Sequence, residues 1–201
     1  PGQRDMTDVA NRMVPQGILS IAAYLLKQGH EIFIYDCLGP GVPIQREAQV
    51  RAILKYEPQM VGFSATTSSF LDAAEMAQEI KKCVAHVKTV CGGVHVSALQ
   101  DRLLLAYPAF DFLCAGEGEL TMAELARDVA PAEIKGLIWR QGSTAMTNPP
   151  RSQIADLDSL PFPAYEKLKG FPPDYHLPLF SYVHTPGSTM ITSRGCMYQC
   201  S

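Results

Sequence analysis

Between residues 15 and 129 short apolar runs alternate with longer amphipathic stretches of helical period, and this alternation narrows the possible folds more than any other feature. The runs are EIFIY (31–35), MVGF (60–63), VKTVC (87–91) and FDFLCA (110–115). They are too short for helices, and their near-continuous apolar character suits strands buried on both faces. The intervening stretches predict helices. Ile18, Leu19, Ala22, Leu25 and Leu26 make one stripe, which Gly29 ends. Further helices are expected over 44–56, stopping ahead of Pro58, then over 70–84, over 96–107, and from 119 to about 129. Strands alternating with helices predict an α/β fold built on a doubly wound parallel sheet, flavodoxin-like or Rossmann-like, over residues 18–129. Such folds usually begin with a central strand, whereas this chain opens near a helix. Pro1-Gly2 is expected to be the tail of that strand, which would leave an exposed sheet edge.

The texture changes after residue 130. Residues 135–140 and 145–147 predict a hairpin around Gly142. More than half of the fifteen prolines follow from Pro149 onward, which marks an extended linker containing DLDSLP at 156–161. A strand through Met190, Ile191 and Thr192 is expected to lead into a cysteine loop. The expected division is therefore 1–130 as a ligand-binding α/β domain, 131–187 as hairpin and linker, and 188–201 as the start of a further domain.

The net charge is −3, and no cluster of Lys and Arg offers a surface to nucleic acid. No apolar run is long enough to cross a membrane, and no signal peptide is expected at the start. The longest apolar block, 17–26, contains Ser20 and Tyr24 and predicts a buried helix face. The cysteines at 37, 83, 91, 114, 196 and 200 lack the spacing of a secreted scaffold, so reduced thiols in a cytoplasm are expected.

In an open parallel sheet, ligands bind at the carboxyl ends of the strands. Those ends are Asp36-Cys37-Leu38-Gly39-Pro40-Gly41, the hydroxyl-rich 64–69, Gly92-Gly93-Val94-His95, and Gly116-Glu117-Gly118-Glu119. Glycine admits close backbone approach, hydroxyls donate to phosphate or amide groups, and helix N-termini favour anions. The candidate contacts are Asp36, Leu38, Gly41, Ser64, Thr66, Thr67, Gly92, Gly93, His95, Gly116, Glu117 and Gly118. For His95 two roles stand side by side: contact with a ligand, or a local hydrogen bond at a helix entry. Glu117 is expected to accept hydrogen bonds from a ligand, and Glu119 to favour the first turn of its helix. Cys196 and Cys200, three residues apart behind Ser193-Arg194-Gly195, are candidate metal ligands, since thiolates are soft anionic ligands for iron.

Together, PQGILSIAAYLLKQGH, VGFSATTSSF, CGGVH, AGEGE, the NPPR…DLDSLPFPAY linker and ITSRGC resemble one family over residues 15–201. It is the cobalamin-binding domain that precedes the barrel of B12-dependent radical S-adenosylmethionine (radical SAM) proteins. The resemblance implies a cysteine loop C-x3-C-x2-C whose third cysteine falls two residues beyond Ser201. Three thiolates there would hold a 4Fe–4S cluster whose open iron takes S-adenosylmethionine. Residues 1–201 supply only Cys196 and Cys200, so no complete cluster is expected on them alone. Related cobalamin domains carry D-x-H-x-x-G with a histidine under cobalt. Asp36 and Gly41 keep that pattern, but Leu38 stands in the histidine slot and cannot ligate a metal. The resemblance thus implies cobalt without a protein histidine below it, and Asp36 as a strand-end cap.

The implied activity of the whole enzyme is methyl transfer to a small molecule or peptide, using methylcobalamin and a 5′-deoxyadenosyl radical; some relatives form rings or rearrange instead. Two alternatives are weighed against it. One is a methylthiotransferase-like protein whose front domain holds a second iron–sulfur cluster on Cys37, Cys91 and Cys114. The other is a non-enzymatic cobalamin or flavin sensor.

Overall fold

The computed structural model describes residues 13–175 and 189–195. Its helices are α1 (Gln16–Lys27), α2 (Arg46–Leu54), α3 (Phe70–Cys83), α4 (Val94–Leu99), α5 (Asp101–Ala106) and α6 (Glu119–Ala126). The strands are β1 (Met60–Ser64), β2 (Lys88–Gly92), β3 (Phe112–Cys114), β4 (Leu137–Gln141) and β5 (Thr144–Thr147), joined in that order into one sheet. β1, β2 and β3 run parallel, while β4 is antiparallel to both β3 and β5.

The period-2 alternation of the strands assigns each side chain to one of two layers. Cys91, Leu113 and Ile138 face a core built with Phe70, Ala74 and Ala77 of α3, Val96 of α4 and Leu103 and Leu104 of α5. Their chain neighbours Val90, Cys114 and Leu137 face the other way, onto Leu125 of α6 and Ile134. α2 joins the first layer through Val50, which packs with Val61, Met76, Ile80 and Val87. Each fully buried Phe or Leu in these layers contributes about 1.5–3 kcal/mol of apolar transfer. The sheet is therefore covered on both faces, as a doubly wound α/β fold requires.

Four expectations are corrected. Among the described residues, 31–35 pair with no strand. Ile32 and Ile34 pack against α1, while Phe33 stacks on Tyr56 with ring centroids 4.1 Å apart. Alternating sides are thus used as in a strand, yet no described neighbour supplies a ladder. Among the described residues, the edge of β1 away from β2 is likewise unpaired. Second, the helix expected over 96–107 breaks at Gln100, whose left-handed φ of 51° turns the chain between α4 and α5.

Third, the hairpin around Gly142 is no separate unit. Its first strand extends the sheet, with Leu113 opposite Ile138, so the sheet runs on past residue 130. Fourth, residues 189–195 form no strand. Met190 and Ile191 are exposed, and no described strand lies beside them. Within the described residues, the proline-rich segment bonds to α1 and α6. Ala164 N–H donates to Leu19 O at 3.1 Å, and Arg151 Nε donates to Thr121 Oγ1 at 3.0 Å. Cys196, Cys200, His176 and His184 lie outside the described residues.

Candidate functional site

The register Ser64–Gly92–Cys114 brings the carboxyl ends of the three parallel strands to one level, so their loops leave from a common edge. The first loop is held by its own hydroxyls. Thr66 N–H donates to Ser69 Oγ at 3.0 Å, and Thr66 Oγ1 lies 3.0 Å from Ser68 Oγ. Ser64, Thr66 and Thr67 remain exposed on this edge. Thr67 Oγ1 lies 3.2 Å from His95 Nδ1, so the β1 and β2 loops meet there. The His95 ring tilts over Phe70 at a centroid distance of 4.6 Å. His95 thus bonds to the neighbouring β1 loop, 28 residues away in sequence, rather than to its own helix entry.

Ser97 was not singled out from sequence, yet it links the second and third loops. Its Oγ donates to Gly93 O at 3.1 Å and accepts from Gly116 N–H at 3.0 Å. The available signal was a serine four residues after a helix-opening glycine, where a hydroxyl returns to the loop carbonyl.

The glycines divide by cause. Gly116 has φ +82° and Gly41 has φ +68°, and a Cβ on either would meet nothing within 4 Å, so open space lies over both. A Cβ on Gly93, at φ +104°, would stand 2.4 Å from Ala65 O. Packing between adjacent loops therefore demands Gly93. A Cβ on Gly92 would touch Cys114, and one on Gly118 would stand 2.7 Å from Ile21 Cδ1 of α1. Of these three, Gly93 meets backbone and serves the protein's own packing, while Gly92 makes an ordinary contact and Gly118 meets only the flexible end of Ile21.

Asp36 caps the turn that begins there, with no strand before it among the described residues. Its Oδ1 accepts from Leu38 N–H at 2.9 Å and its Oδ2 from Tyr175 O–H at 2.8 Å. The turn it holds leaves the Leu38 side chain 70% exposed.

Glu119 stands in the first turn of α6 as expected, whereas Glu117 finds its partners within the chain. Glu117 Oε2 accepts from Ile154 N–H of the linker at 2.8 Å, and Oε1 lies 3.6 Å from Arg194 Nη1. Its acceptor capacity is thus turned toward the linker, whose backbone N–H needs a partner, and away from a ligand. Glu119 is buried, and its Oε1 accepts from Ser20 O–H and from Arg194 Nη1, each at 2.7 Å. Arg194 lies 75 residues away in sequence, and nothing in the local pattern announces the pair.

The proposed second cluster on Cys37, Cys91 and Cys114 is contradicted. Cys91 and Cys114 face opposite sides of the sheet, and Cys37 is exposed in a separate loop. Burial pushes the Cys91 thiol up to about 12, with Cys114 adding to the rise. Burial likewise raises Cys114 to about 11. Such thiols are not poised to become thiolate ligands. Among the described residues, no group of three His, Cys, Asp or Glu side chains stands close enough to hold a metal ion. No described helix is long and apolar enough to cross a membrane.

Comparison with known proteins adds to this geometry. A family model described as the B12 binding domain matches residues 5–126. The chain is 30% identical over 192 residues to an uncharacterized methyltransferase of Pyrococcus horikoshii, covering 92% of this chain and 39% of that protein. It is 26% identical over 200 residues to the anaerobic magnesium-protoporphyrin IX monomethyl ester cyclase of Synechocystis, covering 94% and 38%. Among solved structures, a radical S-adenosylmethionine methyltransferase from Kitasatospora setae with cobalamin and a 4Fe–4S cluster bound superposes with a TM-score of 0.59. That match has 19% identity and covers 82% of this chain and 30% of that one, so the likeness is one of fold. The chain spans less than half the length of these curated relatives.

Proposed function

The chain belongs to the B12-binding domain family, and from that premise we propose that it is the cobalamin-binding front region of a radical SAM methyltransferase. The observation that carries the reading is the common carboxyl edge of β1, β2 and β3, where the loops of all three strands are tied together by Thr67–His95 and by Ser97. The residues present suit a corrinoid. Exposed hydroxyls of Ser64, Thr66 and Thr67 offer donors to its amide and phosphate groups. Open space lies over Gly116, the exposed Val94 gives the rim apolar surface, and the 36–41 turn adds an exposed Leu38 and open space over Gly41. Leu38 supplies no nitrogen, so that position would offer cobalt no ligand.

When bound, methylcobalamin supplies a methyl group, and the cluster with S-adenosylmethionine supplies the radical that prepares the substrate. This chain's residues position and shield. Asp36 fixes the turn that carries Leu38, and Ser97 holds the Gly93 and Gly116 loops at a constant separation. Cys196 and Cys200 would be two of the cluster's three thiolate ligands. The four cysteines among the described residues are free thiols, which suits a reducing cytoplasm. Similarity to the magnesium-protoporphyrin cyclase supports ring formation as the second reading of the whole enzyme's reaction.

The experiment is metal analysis of the full-length protein, reconstituted without oxygen. The expected result is stoichiometric cobalt together with the iron of one 4Fe–4S cluster. Cys196→Ala should remove the iron and the cleavage of S-adenosylmethionine while leaving cobalt in place. Iron for two clusters with no cobalt would contradict the proposal.

A further inference from the structure

We infer that Arg194, Glu119 and Ser20 form a latch that fixes the lead of the cysteine loop onto α1 and so sets the cluster loop relative to the cobalamin edge. The identity of the two cofactors rests on the proposed function; the latch rests on its own geometry. Only 4% of the Glu119 side chain is exposed, and a carboxylate so placed needs charged or hydrogen-bonding partners. Oε1 has two, Arg194 Nη1 and Ser20 Oγ, each at 2.7 Å. Arg194 Nη2 then donates to Ser20 Oγ at 2.8 Å. The serine hydroxyl therefore gives its proton to Glu119 and accepts one from Arg194, which closes the triangle. Glu117 Oε1, 3.6 Å from Arg194 Nη1, adds a second negative charge. The planar guanidinium reaches both partners at once, which an ammonium point charge does less well.

A second contact holds the same segment. Gln16 Nε2 donates to Thr189 O at 2.6 Å, and Gln16 and Ser20 stand one turn apart on one face of α1. Residues 189–195 are thus gripped at two points along a single helix. Directly after the latch, Gly195 adopts φ +83° against Gln153, so the backbone turns in a conformation that other residues rarely adopt. In sequence, Cys196 is the next residue.

The latch is also joined to the cobalamin edge. Glu119 opens α6 immediately after the 116–118 loop. Gly118 of that loop packs under Ile21 of α1, and Gly116 is bonded to Ser97. One helix start therefore carries both a loop of the cobalamin edge and the anchor of the cysteine lead. This gives Glu117 and Glu119 the role of positioning residues.

The test uses the full-length protein. Hydrogen–deuterium exchange of a peptide covering 189–195 should speed up roughly tenfold in Arg194→Ala and in Glu119→Gln, less in Arg194→Lys, with residues 70–83 unchanged. With cob(II)alamin and the reduced cluster both present, the cluster should enhance the spin relaxation of cobalt. That enhancement should fall in Arg194→Ala and be partly restored in Arg194→Lys. Unaltered exchange and relaxation in Arg194→Ala would overturn the latch. Should that variant not fold, Ser20→Ala removes the bridging hydroxyl without orphaning a charge, and the same two readouts apply. A wild-type protein that takes up neither cobalt nor iron would sink the proposed function, and exchange alone would then decide the latch.

Discussion

Cys91 and Cys114 sit on neighbouring strands yet face opposite layers, and both thiols are held neutral by burial. For Cys91 the rise runs from an ordinary 9.0 to about 12, so folding favours the protonated form. That contribution to stability is fully present below about pH 9 and is lost as pH rises through the folded value. The melting temperature should therefore drop between pH 9 and 12, and the drop should be shallower in Cys91→Ala. At pH 8 an alkylating reagent should mark Cys37 and Cys83, which are exposed, and reach Cys91 and Cys114 only after denaturation; mass spectrometry reads both sets. Gly93 and Gly116 make a second pair at this scale. Gly93→Ala meets the Ala65 carbonyl as well as an unfavourable φ and should destabilise the protein by about 2 kcal/mol or more. Gly116→Ala meets open space and should cost about 1 kcal/mol from its backbone alone. Urea unfolding without any cofactor checks this ranking, and equal losses would mean that the Ala65 contact is not the cause. Weaker cobalamin binding in a Gly93 variant would accordingly report a damaged loop rather than a lost ligand contact.

At the scale of elements, β1, β2 and β3 were legible because each apolar run ends in glycine or hydroxyl residues where the chain must turn. Residues 31–35 carry the same apolar signal, but a sequence pattern states which faces are buried and not whether a neighbour supplies the ladder. The hairpin was legible from Gly142, which starts a two-residue turn between Gln141 and Thr144. Its place beside β3 was not, because pairing across 22 residues or more is decided by packing. Asn148 shows what holds that placement. Its Nδ2 donates to Pro131 O at 2.6 Å and to Ile134 O at 2.7 Å, and its Oδ1 accepts from Trp139 Nε1 at 3.1 Å. Asn148→Ala leaves Trp139 Nε1 without its partner and takes one of two donors from each carbonyl, and should cost about 1–2 kcal/mol, read as a lower urea midpoint with an unchanged slope. A loss under about 0.5 kcal/mol would mean that water replaces these bonds readily. The edge loops were legible as candidates by position alone. The roles of Glu117 and Glu119 were not, since their partners Ile154 and Arg194 come from distant chain.

Over the whole molecule, the chain returns to its own beginning. The linker bonds to Leu19, Tyr175 reaches Asp36, and residues 189–195 lie along α1 through Gln16 and Ser20. The described ends of the chain thus converge on the helix that borders the third edge loop. The central proposal is that cobalamin binds at this carboxyl edge and that position 38, a leucine where the resembled domains carry a histidine, offers its cobalt no nitrogen ligand. Electron paramagnetic resonance of cob(II)alamin bound to the full-length protein tests it most directly. The account predicts a bound spectrum without nitrogen superhyperfine splitting from a histidine, unchanged in His95→Ala. A histidine nitrogen splitting that disappears when His95 or another histidine is replaced, or a protein that takes up no cobalamin, would contradict it.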